Sequence, residues 1–217
     1  SDHEVNIKIV LNAAGEAGEI NIDERNNLLS EMTEEVAQLV LRNNYMQTQA
    51  LALAVDQAPN LIHHHARAIR QLEKSYGLNR GLEYLPNEVE IKKRIADKKG
   101  LTRPELAVLL SHSKISTFQM LLDSDVPEDT FLAEDLERYF PTALSSRFKH
   151  LMPAHRLRRE IIATHVTNSM INRVGPGFTL RMNELTGARP SDTARAYAAA
   201  REIFRLRDLW HEVEGLD

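Results

Sequence analysis

Three adjacent histidines, His63-His64-His65, are the residues that most invite a metal ion. They lie in a run with helical spacing, where successive side chains project about 100° apart, so three neighbours cannot converge on one centre. Zinc-binding helices set their ligands at i and i+4, and no His-Glu-x-x-His occurs here. The run therefore reads as a polar, partly exposed helix surface. His155 and His165 fall ten apart on one expected helix, too far to share an ion. The densest basic cluster is His155-Arg156-Leu157-Arg158-Arg159-Glu160. Guanidinium forks match phosphate and carboxylate oxygens, so an anionic ligand or an acidic partner surface would suit it. The polar face of a helix whose apolar face starts at Leu157 and Ile161 suits it better, and Arg156 and Glu160 have the i,i+4 spacing of an ion pair.

Thr164, Asn168 and Asn172 follow one another at i, i+4 and i+8 on the same expected helix. Such a stripe either lines a site or hydrogen-bonds neighbouring helices and sets their packing; the second is the expectation. Glu34 and Glu35 fall in a first helical turn, where the dipole already favours negative charge. Gly175-Pro176-Gly177 lacks the longer loop, Lys and Ser or Thr of a phosphate loop, and no strand precedes it as a dinucleotide fingerprint requires. There is no Gly-x-Ser-x-Gly elbow. These residues assign no catalytic, cofactor-binding or metal-binding position to the chain.

The elements that must carry these residues are almost all helices. The only candidate strand is Val5 to Leu11, whose alternation also suits a short helix. Asp23 is the expected N-cap of a short turn ending near Glu31, and Thr33 of the next helix, which runs to Gln57 before Pro59. A separate helix is expected from Asn60 through Tyr76, closed by Gly77 in the left-handed C′ position. A connector, 78–87, leads to a charged helix stopped by Gly100. Thr102-Arg103-Pro104-Glu105 has the pattern of a capping box and opens a helix to about Leu122. Short pieces follow between Pro127 and Phe148, interrupted at Pro141. A long helix is expected from Ala154 to Val174, ended by Gly175-Pro176-Gly177. One helix then runs to about Thr186, and one or two more run from Ser191 to Glu214. The expected class is all-α, an irregular multi-helix bundle with a short strand or helix at its N-terminal end. One helical domain is expected, with a seam near 78–100 as the alternative.

The totals agree with a globular domain. A chain of 217 residues buries enough surface to need no metal or disulfide. It has no cysteine, which excludes disulfides, thiolate chemistry and cysteine-based zinc sites and suits a reducing cytoplasm. A net charge of −4 argues against general nucleic-acid binding. No apolar run reaches the roughly 20 residues of a membrane span, and the acidic opening Ser1-Asp2-His3-Glu4 is unlike a signal peptide.

Six stretches taken together resemble the large NAD-specific glutamate dehydrogenases of bacteria. They are Ser1-Asp2-His3-Glu4-Val5-Asn6-Ile7-Lys8-Ile9, Glu24-Arg25-Asn26-Asn27-Leu28-Leu29 and Met32-Thr33-Glu34-Glu35-Val36-Ala37, then the run from Leu101 to Leu110, Tyr139-Phe140-Pro141, and the run from Leu157 to Thr164. Arg156 departs from the family, where a proline would follow the histidine. The resemblance implies a very long polypeptide that interconverts glutamate with 2-oxoglutarate and ammonia using NAD. It places the catalytic and nucleotide domains ahead of Ser1. Residues 1–22 are then the tail of the catalytic domain and a linker, and 23–217 a helical domain. The family's catalytic Lys and Asp, substrate-binding Ser and glycine-rich loop have no matching positions here, so NAD is expected outside this segment and no functional residue carries over. Family members continue past Gly215-Leu216-Asp217, which implies an excised piece of a cytoplasmic enzyme.

Two functional readings follow. In the first, the chain is a helical assembly or regulatory region, inactive by itself, whose partners are the rest of its polypeptide and its homo-oligomer, not nucleic acid or membrane. In the alternative, it is an independent helical adaptor that binds a protein partner, or an anionic ligand near Arg156, Arg158 and Arg159.

Overall fold

The computed structural model describes residues 2–216, so Ser1 and Asp217, which bound the stretches above, lie outside the described residues. Eleven α-helices, two short 3-10 segments and no strand occur among them. The ambiguous N-terminal run is helical. Helix α1, Asp2–Glu16, buries Ile7, Val10, Leu11 and Ala14, an i, i+3, i+4, i+7 spacing that only a helix turns to one side.

Helix α2, Ile22–Glu31, is capped by Asn21 rather than Asp23. The Asn21 side chain accepts from the Glu24 N–H at 2.9 Å, and Glu24 accepts from the Asn21 N–H at 3.1 Å. Asp23 sits instead in the first turn, where its charge meets the helix dipole. Thr33 is not a cap either. It is the first residue of α3, and its hydroxyl donates back to the Leu29 carbonyl.

Helix α3 is one unbroken element, Thr33–Tyr76, with Pro59 inside it. The sequence predicts two helices here, because proline removes one backbone hydrogen bond and crowds the carbonyl four residues back, a cost of about 3 kcal/mol. The fold tolerates that cost because one buried stripe, Ala54, Ala58, Ile62, Ala66, Ile69 and Leu72, crosses the proline without losing register. Gly77 ends the helix with φ of 71° and donates to the Leu72 carbonyl.

Helix α4, Glu88–Ala96, ends before Gly100, and that glycine has a different duty. A Cβ built on it would lie 2.3 Å from the Ala58 carbonyl carbon, so only glycine lets this loop rest on α3. Helix α5, Arg103–Leu122, opens as its sequence predicts, with the Thr102 N–H donating to Glu105 at 2.7 Å. Glu105 also takes both terminal nitrogens of Arg94, at 2.6 and 2.9 Å, and so ties α4 to α5.

After a 3-10 turn come α6, Thr130–Tyr139, and α7, Thr142–Phe148, separated by Pro141. A second 3-10 segment ends at Ala154, and α8 runs Arg158–Val174. It starts later than the sequence suggests, because the Leu157 N–H donates to the His155 ring, a local turn that competes with helix. Helices α9, Phe178–Thr186, α10, Pro190–Ile203, and α11, Leu206–Glu214, complete the chain.

Two apolar cores result, both built from this chain alone. The first gathers α1, α2, α6, α7, α8, α10 and the C-terminal half of α5. The second joins the C-terminal half of α3 to the connector, α4 and the N-terminal half of α5. Helix α5 belongs to both, through Leu106 and Leu109 on one side and Leu110 and Leu121 on the other.

Candidate functional site

Helix α8 buries Ile161, Ile162, Val166, Met170 and Ile171 in the first core. Its polar stripe, Thr164, Asn168 and Asn172, lines a cleft of about 430 Å³ whose other walls come from α3, α11, the end of α6 and the start of α1. None of the three side chains hydrogen-bonds another described residue, although Asn172 is only 7% exposed and its Oδ1 is buried. The sequence predicts a packing role for this stripe; in the structure Thr164 and Asn168 are half-buried at the cleft and Asn172 is buried beside it.

The wall opposite is α11. The chain turns from α10 into it through Arg205, a left-handed residue with φ of 50°. Arg207, Trp210 and Glu214 then face the cleft. Arg173 of α8 pairs with Glu214 and lies 4.4 Å from the centre of the Trp210 ring, so one guanidinium carries an ion pair and a cation–π contact that hold α11 in place. Arg42 and Met46 of α3 form the third side.

Asp135 of α6 is the electrostatic anchor behind the cleft, 1% exposed. It accepts from Arg138 at 3.1 Å and Arg207 at 3.2 Å, with Arg201 at 3.7 Å. His165 Nδ1 stands 3.6 Å away, near enough for a charge interaction and too far for a hydrogen bond. Burial opposes ionisation of this carboxyl, but His165, Arg201 and Arg207 outweigh it and hold its pKa well below the usual carboxylate range. Arg207 also donates to Glu202 at 2.9 Å. Thus Arg138, Arg173, Arg201 and Arg207 share the carboxylates of Asp135, Glu202 and Glu214. Arg42, which is exposed, has no carboxylate partner among the described residues and leaves the cleft mouth positive. No serine or threonine hydroxyl in the cleft hydrogen-bonds a histidine or carboxylate among the described residues. The arrangement offers charge and hydrogen bonds to a ligand.

The other sequence candidates fall elsewhere. His63 is exposed, His64 places Nδ1 2.7 Å from Arg67, and His65 is 2% exposed, so the three side chains point into different surroundings. Burial, with His64 adding to it, pushes the His65 pKa down to about 4. His64 and His65 line a smaller cavity of about 150 Å³ with Arg181 and Gly175-Pro176-Gly177. That glycine turn joins two helices, α8 and α9, and the Gly177 N–H donates to Ser113 at 3.1 Å.

The basic cluster is divided. Arg156 precedes α8, so its expected pair with Glu160 does not form. Arg158 donates to the Pro127 carbonyl, and Arg159 to the carbonyls of Leu122 and Ser124, where they satisfy the end of α5 and the turn beyond it. Glu35 also has a structural duty: it accepts from the Thr142 N–H at 2.8 Å and the Thr142 hydroxyl at 2.7 Å, capping α7. Sequence reasoning missed Arg42, Arg207 and Trp210 as members of one cleft, because they lie on helices far apart in the chain. The i,i+4,i+8 stripe was the signal that could have led to them.

Comparison with known proteins gives two family matches. "Glutamate dehydrogenase, C-terminal" matches residues 98–217, and "Bacterial NAD-glutamate dehydrogenase, catalytic domain" matches residues 1–54. The second match ends inside α3. Three curated proteins, each called NAD-specific glutamate dehydrogenase, are similar along the chain. The one from Pseudomonas aeruginosa is 45% identical over all 217 residues, the one from Halomonas elongata 43% over the same length, and the one from Mycobacterium tuberculosis 41% over 215 residues, 99% of the chain. The chain spans only 13%, 14% and 13% of those relatives.

Proposed function

Since the chain belongs to the bacterial NAD-specific glutamate dehydrogenase family, we propose that it works as a helical assembly and regulatory segment of such an enzyme, with chemistry performed elsewhere in the polypeptide. The proposed reaction of the whole protein is the oxidative deamination of glutamate. NAD+ takes the hydride, water supplies the new carbonyl oxygen, and 2-oxoglutarate, ammonium, NADH and a proton result. The observation that carries the reading is similarity along the entire chain to relatives several times its length. The local geometry supports it as well: the Gly175-Pro176-Gly177 turn links two helices and so lacks the strand–loop–helix cradle that receives a pyrophosphate. NAD is accordingly proposed to bind outside this segment. Residues 1–22 are proposed as the end of the catalytic domain with its linker, and 23–217 as one helical unit.

Exposed apolar side chains support the assembly role. Leu41 and Tyr45 stand on the outer face of α3, 59% and 47% exposed. Ile203 and Phe204 at the end of α10, and Leu209 and Val213 along α11, are exposed as well. Surfaces of this kind meet other protein, here the rest of the polypeptide or a second copy of it. Among the described residues no helix is long and apolar enough to cross a membrane, and the proposed setting is the cytoplasm. The adaptor alternative is the weaker reading, because Arg158 and Arg159 donate to backbone carbonyls and only Arg156 of the three arginines stands exposed without a hydrogen bond or ion pair among the described residues.

The test is direct. The purified 217-residue chain, mixed with NADH, 2-oxoglutarate and ammonium, is expected to leave the 340 nm absorbance of NADH unchanged. Appreciable oxidation of NADH would refute the placement of chemistry outside the segment.

A further inference from the structure

We propose that the cleft between α3, α8 and α11 binds a small hydroxylated oxyanion, a phosphate or carboxylate that also carries hydroxyl groups. The inference goes beyond the family reading and stands on the cleft itself.

Three observations converge. Its volume of about 430 Å³ lies in the range of small-molecule sites. Its lining holds Arg42, Arg138, Arg173 and Arg207 against the single carboxylate of Glu214, in a chain whose overall charge is −4, and Arg42 at the mouth has no carboxylate partner among the described residues. An anionic head is the complement of that guanidinium. Along the α8 wall, Thr164, Asn168 and Asn172 line the cleft without a hydrogen bond to any described residue; Asn172 also borders the smaller cavity and its Oδ1 is closed to solvent. Hydroxyls are the fitting complement, because each donates and accepts and so meets either end of an amide.

The ligand would touch three walls of the cleft. Arg42 belongs to α3, the amide stripe to α8, and Trp210 and Arg207 to α11. Binding would therefore add contacts that hold α11, a helix with no buried residue of its own, against the body of the domain. In a segment proposed to regulate, this couples a small molecule to the position of the C-terminal helix.

Trp210 is the only tryptophan in the chain, so its fluorescence reads the cleft without a label. The experiment titrates ribose 5-phosphate, gluconate, inorganic phosphate and ribose into the 217-residue chain and into three variants. Arg42→Gln removes the mouth charge from an exposed, unpaired position, Asn168→Leu fills the cleft, and Arg103→Gln makes the same charge change at an exposed site that does not line it. A saturable response to ribose 5-phosphate or to gluconate is expected, weakened about five- to tenfold in Arg42→Gln, abolished in Asn168→Leu and unchanged in Arg103→Gln. A response to one of the two acids alone assigns the head group as phosphate or carboxylate. The proposal is overturned if neither acid gives saturation up to about 10 mM, if ribose or inorganic phosphate binds as tightly as the acids, or if Arg42→Gln and Arg103→Gln weaken binding equally. Such a failure leaves the dehydrogenase reading untouched, because that is tested by NADH turnover.

Discussion

Helix α11 buries none of its residues, so its place on the domain rests on a few polar contacts, and Arg173 makes two of them. Replacing Arg173 by Met keeps most of the apolar stem and removes the charge. The cation–π contact with Trp210, at 4.4 Å and largely out of water, contributes about 1–2 kcal/mol. The pair with Glu214 has both side chains 16% exposed, between the surface and buried cases, and contributes about another 1 kcal/mol. The sum, about 2–3 kcal/mol, corresponds to a roughly 30- to 150-fold rise in local opening of α11. Arg207 remains bound to Asp135 and Glu202, so the N-terminal end of the helix stays tethered while its C-terminal turn is released. Hydrogen exchange read by mass spectrometry should show the faster exchange in 206–214 with 161–171 unchanged, accompanied by a red shift of Trp210 emission. Equal exchange in α11 for both proteins, or equal acceleration of α8 and α11, would mean that α11 is held by something other than Arg173 and would refute the reasoning.

Gly100→Ala should destabilise the chain by more than about 3 kcal/mol, because the new Cβ falls 2.3 Å from the backbone of Ala58, which cannot rotate away; a thermal midpoint within a degree or two of the wild type would contradict the packing. Asp135→Asn should cost about 3 kcal/mol, since it weakens the counter-charge of Arg201, itself 3% exposed. The folded-state pKa of Asp135 is depressed, so its stabilisation is complete above the unfolded value near 4 and is lost as pH falls through the folded one; acid unfolding of Asp135→Asn should lack that component, and parallel acid titrations of the two proteins would argue against it. His65 is buried neutral with its pKa lowered to about 4, so the unfolded chain protonates first, near 6.5, and stability present above that pH declines as pH falls toward 4. Urea unfolding should therefore show a loss of about 2 kcal/mol from this group between pH 6.5 and pH 5, which His65→Leu removes; an unchanged pH slope in the variant would rule the group out.

Local chemistry made much of the fold readable from residues alone. Gly77 and Gly175-Pro176-Gly177 end helices because their backbone requirements are met by those residue types whatever surrounds them. Thr102 to Glu105 opens α5 because a capping box is closed within one turn. The apolar spacing of α8 named its buried face, and six short stretches in register pointed to the family. Tertiary structure decided the rest. Whether Pro59 breaks a helix depends on a buried stripe that only other helices can cover, and whether Gly100 is a stop or a contact depends on Ala58 lying beneath it. The purpose of the polar stripe in α8 could not be read from its spacing, since i,i+4,i+8 states which residues share a face but not what stands opposite. That is set by where α3 and α11 come to rest. Periodicity and capping act over one or two turns, whereas a cleft is made by surfaces distant in the chain, and only packing brings Arg42, Asn172 and Trp210 to its walls.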